Sequence, residues 1–199
     1  MVGCSEEVPS DQLVERQDIM YKINTTTPFT GRSTDYYENG QLWRISNYKN
    51  GKCHGQQESY FENGQLYDIY ACKNGDLHGF YEEYYINGQL EYRGYWEYQE
   101  LLGSPERYDI NGKDISNDSF VKYFHNGNIH SEGNYKDGRE HGRVVFYHQN
   151  KQGQHHLIWN FKNGEQHGFS DSFTEDGKLY SRRCFINGIE FNITLCTKK

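Results

Sequence analysis

The sequence predicts an all-β fold, an elongated single-layer antiparallel meander of stacked β-hairpins that repeats about every 24 residues. First, the heptapeptide Tyr36–Leu42 recurs at 60–66 and 84–90, with its glycine displaced by 24 residues each time. Second, another Asn-Gly dipeptide follows the first two of these glycines after 11 residues, at Gly51 and Gly75. Third, 34% hydrophobic and 16% aromatic residues, with a mean hydropathy of −1.03, are too polar for one thick core and too aromatic for disorder.

Two sets of turns delimit the predicted strands. The first set is the Asn-Gly of the heptapeptide, and the second set lies between aromatic-rich runs. Asn-Gly and Asp-Gly in this context predict two-residue type I′ turns, because both central residues must adopt positive φ. The second set comprises Asn50-Gly51, Asn74-Gly75, Asp137-Gly138, Asn163-Gly164 and Asn187-Gly188.

A two-residue turn at Gly40 sets the predicted register. Tyr37 then faces Leu42 on a core side, and Tyr36 faces Trp43 on a second side. The core side continues through the residue two positions before each second-set turn, which is Tyr48, Cys72, Tyr135, Phe161 or Phe185. It then passes a glycine four residues after a turn glycine at Gly55, Gly79, Gly142 and Gly168. The second side carries an aromatic ladder formed by Tyr36, Tyr60, Tyr84, Tyr123, Tyr147 and Phe173, with Trp43, Tyr67 and Tyr180 opposite three of them.

The chain divides into residues 1–28, a predicted flexible N-terminal tether, and residues 29–199, a repeat domain. The period is interrupted after Gly88, where the next second-set turn would fall at Gln99, so we predict an insertion at 95–112 that contains Trp96. A second interruption of two residues falls at Gln149–Gly153. Near the start, Val2-Gly3-Cys4 resembles the end of a lipoprotein signal with Cys4 as the lipidated residue; the alternative is an ordinary free N-terminus.

These motifs resemble the variant form of the MORN repeat (membrane occupation and recognition nexus). The resemblance covers roughly residues 29–191 and includes four His-Gly endings, His54-Gly55, His78-Gly79, His141-Gly142 and His167-Gly168. It implies stacked hairpins that form an elongated, curved sheet. Bacterial proteins of this variant family are often labelled antitoxins or immunity proteins, and some are lipoproteins, whereas classical MORN arrays are linked to membrane lipids and to scaffolding.

The sequence predicts no catalytic, cofactor or metal site, and we expect a protein that is not an enzyme. The four histidines of the His-Gly endings lie on equivalent strands roughly 9.6 Å apart, too far for adjacent ones to share a zinc ion. Cys72 is either a small buried apolar residue or the partner of Cys53 in a diagonal disulfide, which would indicate an oxidising compartment. No predicted strand pairing brings Cys184 and Cys196 together.

We expect a monomeric scaffold that binds another protein through its aromatic sheet surface. The expected binding residues are Tyr36, Trp43, Tyr60, Tyr67, Tyr84 and Trp96. The alternatives are a toxin-neutralising or immunity protein and a membrane-lipid-binding module, and the ladder itself is either cross-strand packing or a partner groove. A net charge of −7 disfavours nucleic acid and favours a basic partner. We expect membrane attachment only through a lipid anchor, and a location in the bacterial cell envelope or, alternatively, the cytoplasm.

Overall fold

The computed structural model describes residues 6–124, 126–149 and 153–196, and it confirms an antiparallel hairpin meander. It divides into two compact units, Met1–Lys113 and Asp114–Lys199. The strands of the first unit are β1 (Glu7–Pro9), β2 (Leu13–Arg16), β3 (Ile19–Lys22), β4 (Gly31–Tyr36), β5 (Leu42–Lys49), β6 (Lys52–Cys53), β7 (Gly55–Tyr60), β8 (Leu66–Lys73), β9 (Asp76–Tyr84), β10 (Leu90–Glu97) and β11 (Glu100–Arg107). Those of the second unit are β12 (Ser119–Tyr123), β13 (Ile129–Lys136), β14 (Arg139–Tyr147), β15 (His155–Lys162), β16 (Glu165–Phe173), β17 (Leu179–Ile186) and β18 (Ile189–Phe191).

In the first unit, the sheet runs in chain order from β4 to β11, with β1 added parallel to β4. Residues 6–28 are therefore not the flexible tether that the sequence predicts. Strands β2 and β3 form a separate hairpin, and the Met20 amide donates to the carbonyl of Gly51 at 2.9 Å. The open edge of β4 offers unpaired amides and carbonyls that β1 satisfies. Parallel pairing and a hairpin turn without glycine at Gln17-Asp18 leave no repeat signal in the sequence.

In the second unit, β12 to β18 pair consecutively and antiparallel, with a short 3-10 helix at Ile193–Leu195 after the last strand. Its core contains Phe120, Tyr135 and Val144, all buried. Gly133 lies beneath this cluster, where an added Cβ would come within 2.8 Å of a Val144 methyl carbon. The absence of a side chain at this position therefore lets the rings approach the sheet backbone.

The five predicted second-set turns are confirmed as two-residue turns. Asn50, Asn74, Asp137, Asn163 and Asn187 all have φ between 49° and 57°, and the glycine after each also has positive φ. The first-set turns are different, and the prediction of two-residue turns there is wrong. The Tyr37 amide donates to the Gln41 carbonyl at 2.8 Å, which leaves three residues in the loop, and only Gly40 has positive φ. This is a type I turn followed by a glycine bulge.

The longer turn shifts the register next to it by one residue. Tyr36 pairs with Leu42 and Asp35 with Arg44, so Trp43 is the extra residue of a bulge. Trp43 packs against Tyr37, with ring centroids 6.2 Å apart, and Tyr67 packs against Phe61 at 5.0 Å. The predicted Tyr36/Trp43 and Tyr37/Leu42 pairings are therefore wrong, because the loop contains three residues rather than two.

The insertion predicted at 95–112 is also wrong. Glu97 pairs with Glu100 across a two-residue turn at Tyr98-Gln99, whose φ values are 48° and 69°. The 24-residue period is thus maintained in the backbone through Gly112. The Gln99 amide reaches the Leu77 carbonyl at 3.4 Å, as the Gly75 amide reaches that of Cys53 at 2.9 Å. Strand pairing on both sides imposes a turn that the residue types themselves disfavour.

The second interruption is confirmed as a longer connection. The His148 amide donates to the Gln154 carbonyl at 3.1 Å, so five residues separate this pair where three separate Tyr37 from Gln41. Residues 150–152 of this connection lie outside the described residues. The extra length is thus confined to one loop between β14 and β15, and pairing continues on both sides of it.

Two disulfides cross-link the chain. Cys53 and Cys72 are bonded, with Cα atoms 5.6 Å apart, which realises the diagonal pairing that register permits. Cys184 is bonded to Cys196, with Cα atoms 5.8 Å apart. The sequence did not reveal this second bond, because the chain returns to β17 only through the 3-10 helix that Asn192 caps.

Candidate functional site

The repeated motif residues connect each hairpin to the next. Nδ1 of His54 accepts the amide of Asn74 at 3.4 Å, and the same contact joins His141 to Asn163 and His167 to Asn187. These three histidines of the His-Gly endings therefore support the next second-set turn. Their repetition has a structural cause and does not require a metal.

The first-set turns are connected in a similar way. The side-chain amide of Asn63 donates to the Ile86 carbonyl at 3.3 Å, and that of Asn87 donates to the Ile110 carbonyl at 3.0 Å. The Tyr37 hydroxyl donates to the Tyr60 carbonyl at 2.6 Å. Tyrosine and asparagine of the heptapeptide thus satisfy backbone carbonyls of the following hairpin.

The six predicted binding residues do not form one surface. Tyr36, Tyr60 and Tyr84 lie on the second side of the first sheet, where Tyr36 is exposed and the other two are half-buried. Trp43 and Tyr67 are exposed but pack on the core-side rings Tyr37 and Phe61. Trp96, which pairs with Gly79, alternates to the core side and its indole nitrogen is buried without a hydrogen-bond partner in the described residues. Cys4 lies outside the described residues.

The second-side tyrosines are hydrogen-bonded to glutamates two residues earlier on the same strand. The Tyr60 hydroxyl donates to Glu58, and the Tyr84 hydroxyl donates to Glu82 at 2.5 Å. Burial, followed by the hydrogen bond and the charge of the glutamate, raises the pKa of each phenol from 10.0 to about 12. Tyr147 in the second unit has the same raised pKa through burial and Glu132.

These pKa shifts predict a late phenol titration. We expect Tyr60, Tyr84 and Tyr147 to ionise near pH 12, and Glu58→Gln to bring the pKa of Tyr60 back toward 10. Because the folded pKa exceeds the unfolded one, their contribution to stability is present below pH 10 and is lost as pH rises toward 12. Phenolate absorbance during an alkaline titration, compared with Tyr→Phe variants, measures this. Glu62→Gln is the control, because the Glu62 carboxylate bonds to no tyrosine among the described residues. An equal response in both variants would contradict the assignment.

An exposed apolar triplet occupies the second side near the end of the first sheet. Phe80, Tyr95 and Leu102 are direct cross-strand neighbours on β9, β10 and β11 and are 57%, 41% and 43% exposed. The Phe80 and Tyr95 rings meet edge to face, with centroids 5.1 Å apart. Three adjacent exposed apolar side chains on a sheet are typical of an interaction surface.

Carboxylates surround this apolar triplet. Glu82 and Glu106 flank the triplet in one direction along the strands. Both form ion pairs with Arg93, whose Nε is 2.7 Å from Glu82. Residues 1–113 contain 18 Asp and Glu against 10 Lys and Arg, whereas residues 114–199 contain 10 against 11. The negative charge of the chain therefore resides in the unit that carries the triplet.

The core side of the first sheet contains a shallow cavity of about 490 Å³, lined by Arg44, Asp68, Tyr70, Tyr81 and the Cys53–Cys72 bond. Tyr70, Tyr81 and Tyr92 form a row with centroids 5.7 and 5.8 Å apart. Burial raises the pKa of Asp68. The 11-residue spacing of these tyrosines was the available sequence signal for this row. Arg44 donates to the Tyr70 hydroxyl and Tyr81 donates to Glu83, so we interpret the row as packing.

Neither a metal-binding cluster nor a membrane-spanning helix occurs in the part of the chain that the structure describes. Among the described residues, no group of three or more His, Cys, Asp or Glu side chains could hold a metal ion. Within the same residues, no helix is both long and apolar enough to cross a membrane. The described residues offer rows of hydrogen-bonded tyrosines and an exposed apolar surface. That surface, the apolar triplet, is the candidate site.

The fold and these connections define a β-hairpin repeat protein. Three segments, residues 29–50, 54–70 and 119–137, match the sequence model of the family described as MORN repeat variant. The first two cover β4, β5, β7 and much of β8, and the third covers β12 and β13. No curated protein matches the chain. The similarity to the MORN repeat variant therefore applies to these hairpins.

Proposed function

We propose that this chain is a non-catalytic repeat scaffold that binds another protein through the second side of its first sheet. The observation that carries the proposal is the exposed apolar triplet Phe80, Tyr95 and Leu102. The neighbouring Tyr60 and Tyr84 are held by their glutamates, so the surface beside the triplet is ordered before a partner arrives. This surface replaces the one expected from the sequence, since Trp43, Tyr67 and Trp96 pack on the other side.

Removing the triplet's apolar atoms should abolish partner capture. Phe80→Thr with Leu102→Thr introduces β-branched residues, which are suited to strands, while it removes most of the apolar contact area. We expect the variant to fold normally and to lose the partner in affinity purification, with at least a tenfold decrease, since two central apolar residues are worth roughly 1–2 kcal/mol each. Ile189→Thr, at an exposed strand residue of the second unit, is the matched control. Equal capture by both variants would exclude the triplet as the binding surface.

A narrower form of the proposal is that the protein partner of this scaffold is a toxin. This form is supported by the labels attached to bacterial proteins that the repeats resemble. Co-expression with a toxin encoded beside this gene provides the test, because the Phe80→Thr/Leu102→Thr variant should fail to restore growth where the parent protein does. Rescue by the variant would contradict neutralisation through this surface.

A membrane-lipid module is the second candidate function, since classical MORN arrays are linked to lipids. The acidic first unit is repelled by anionic headgroups, whereas lipid-binding surfaces are usually basic. Sedimentation with anionic vesicles at physiological salt distinguishes the two functions. Tight binding of the chain without any lipid anchor would favour the membrane function over protein binding.

The two disulfides support a location in an oxidising compartment, and we propose the cell envelope. Lipidation at Cys4 would anchor the scaffold there and leave the sheet surface available to a partner. Incorporation of labelled palmitate that Cys4→Ala abolishes would support this; fractionation with reduced cysteines in the cytoplasm would contradict it.

A further inference from the structure

The turn between β10 and β11 differs in residue type from the five other second-set turns. Those turns use Asn-Gly or Asp-Gly, whereas this one places Tyr98 and Gln99 at positive φ. A side chain with a Cβ disfavours this conformation, most of all a bulky one. Tyr98 remains 60% exposed although its ring meets that of His78 edge to face, with centroids 5.5 Å apart. Unfavourable backbone conformations of this kind cluster at functional sites.

The residues on either side of this turn are both acidic. Glu97 and Glu100 are exposed and directly opposite each other, and alternation along β10 and β11 puts them on the side that carries Tyr95 and Leu102. Like charges in direct opposition repel. Neither carboxylate has an ion-pair partner among the described residues. The equivalent pairs Lys49/Lys52 and Lys162/Glu165 are not doubly acidic.

We propose that Glu97 and Glu100 bind a lysine or arginine side chain of the protein partner whose apolar residues cover the triplet. The inference rests on the proposed function and specifies the partner's chemistry. Residues two apart on a strand are separated by roughly 7 Å, so the partner presents a basic group about that far from an apolar one. A cation placed between the two carboxylates removes their mutual repulsion and supplies the missing ion pair.

Charge complementarity favours this occupant over others. Anionic lipid would meet two unpaired carboxylates in an acidic unit, and a second copy of the chain would present the same acidic surface. A basic strip with alternating apolar residues satisfies both parts of the surface. It is also attracted at long range by the excess of acidic residues in 1–113.

The test uses the full chain and a fluorescent eight-residue peptide of alternating lysine and leucine, with the glutamate–leucine peptide as its opposite. Binding is followed by fluorescence anisotropy at several salt concentrations. We expect the lysine peptide to bind and Glu97→Gln/Glu100→Gln to weaken its binding on the order of tenfold, because the variant removes two ion pairs with the peptide. The salt dependence should become shallower in the same variant.

The matched control Glu38→Gln/Glu62→Gln changes the net charge equally at two exposed first-set turns and should weaken binding far less than Glu97→Gln/Glu100→Gln. If Phe80→Thr/Leu102→Thr weakens the lysine peptide but Glu97→Gln/Glu100→Gln does not, the inference falls and the proposed surface stands. If neither variant weakens it, both fall. The inference is also overturned if the glutamate peptide binds as tightly as the lysine peptide. The same holds if the chain dimerises with increasing concentration and Glu97→Gln/Glu100→Gln prevents this.

Discussion

Replacing Phe120 by alanine is expected to lower the free energy of unfolding of the second unit by about 3–5 kcal/mol. Phe120 is 5% exposed and stacks on Tyr135, with ring centroids 4.4 Å apart and planes inclined by 23°. The ring also contacts Val144 in the small core of this unit. A thin sheet cannot close the resulting cavity, because Gly133 offers no side chain that could move into it.

Trp159 reports this effect, since it lies in the second unit and contacts Phe146, with centroids 5.1 Å apart. Denaturant unfolding followed by tryptophan fluorescence, in a background with Trp43→Phe and Trp96→Phe, isolates its signal. Tyr123→Ala is the control, because it truncates an aromatic residue on the same strand that is 64% exposed. We expect a cost below about 1 kcal/mol there. Similar costs at both positions would contradict the assignment of Phe120 to the core.

The sequence predicted those parts of the fold that local residue chemistry determines. Asn50-Gly51 and its equivalents fix two-residue turns, because few other residues accept positive φ. At Tyr98-Gln99 the same turn forms against residue preference, and the cause is pairing with β9 and β11, which a local signal does not contain. The three-residue turn at Gly40 has the same dipeptide as a two-residue turn, so its bulge and the position of Trp43 could not be predicted from the dipeptide.

The candidate site depends on that missing register. Tyr36, Tyr60 and Tyr84 were placed on the second side correctly by alternation, but Trp43 and Tyr67 were displaced from it by the bulge. Phe80, Tyr95 and Leu102 become neighbours only when β9, β10 and β11 continue the meander. The predicted insertion at 95–112 concealed two of them. The turn prediction relied on Asn-Gly and Asp-Gly, and it therefore missed the turn at Tyr98-Gln99. The 24-residue period alone would have placed a turn there and aligned the three residues.

Replacing both Cys53 and Cys72 by serine is expected to lower the free energy of unfolding of the first unit by about 3 kcal/mol. The bond joins residues separated by 19 positions, and without it the unfolded chain gains the corresponding loop entropy. It also lines the core-side cavity and ties β6 to β8, where β6 is only two residues long. Thermal unfolding of the double variant, and of the parent protein with a thiol reductant, measures the loss.

The bond between Cys184 and Cys196 provides the internal comparison, because it encloses a shorter separation of 12 in the other unit. Fluorescence of Trp43 and Trp96 should report the loss from Cys53→Ser/Cys72→Ser, and Trp159 should report the loss from Cys184→Ser/Cys196→Ser. If reductant destabilised the parent protein but neither double variant, the disulfides would not be its target. An unchanged unfolding temperature in all cases would show that strand pairing alone holds Lys52–Cys53 to the sheet, and would remove the support for an oxidising compartment.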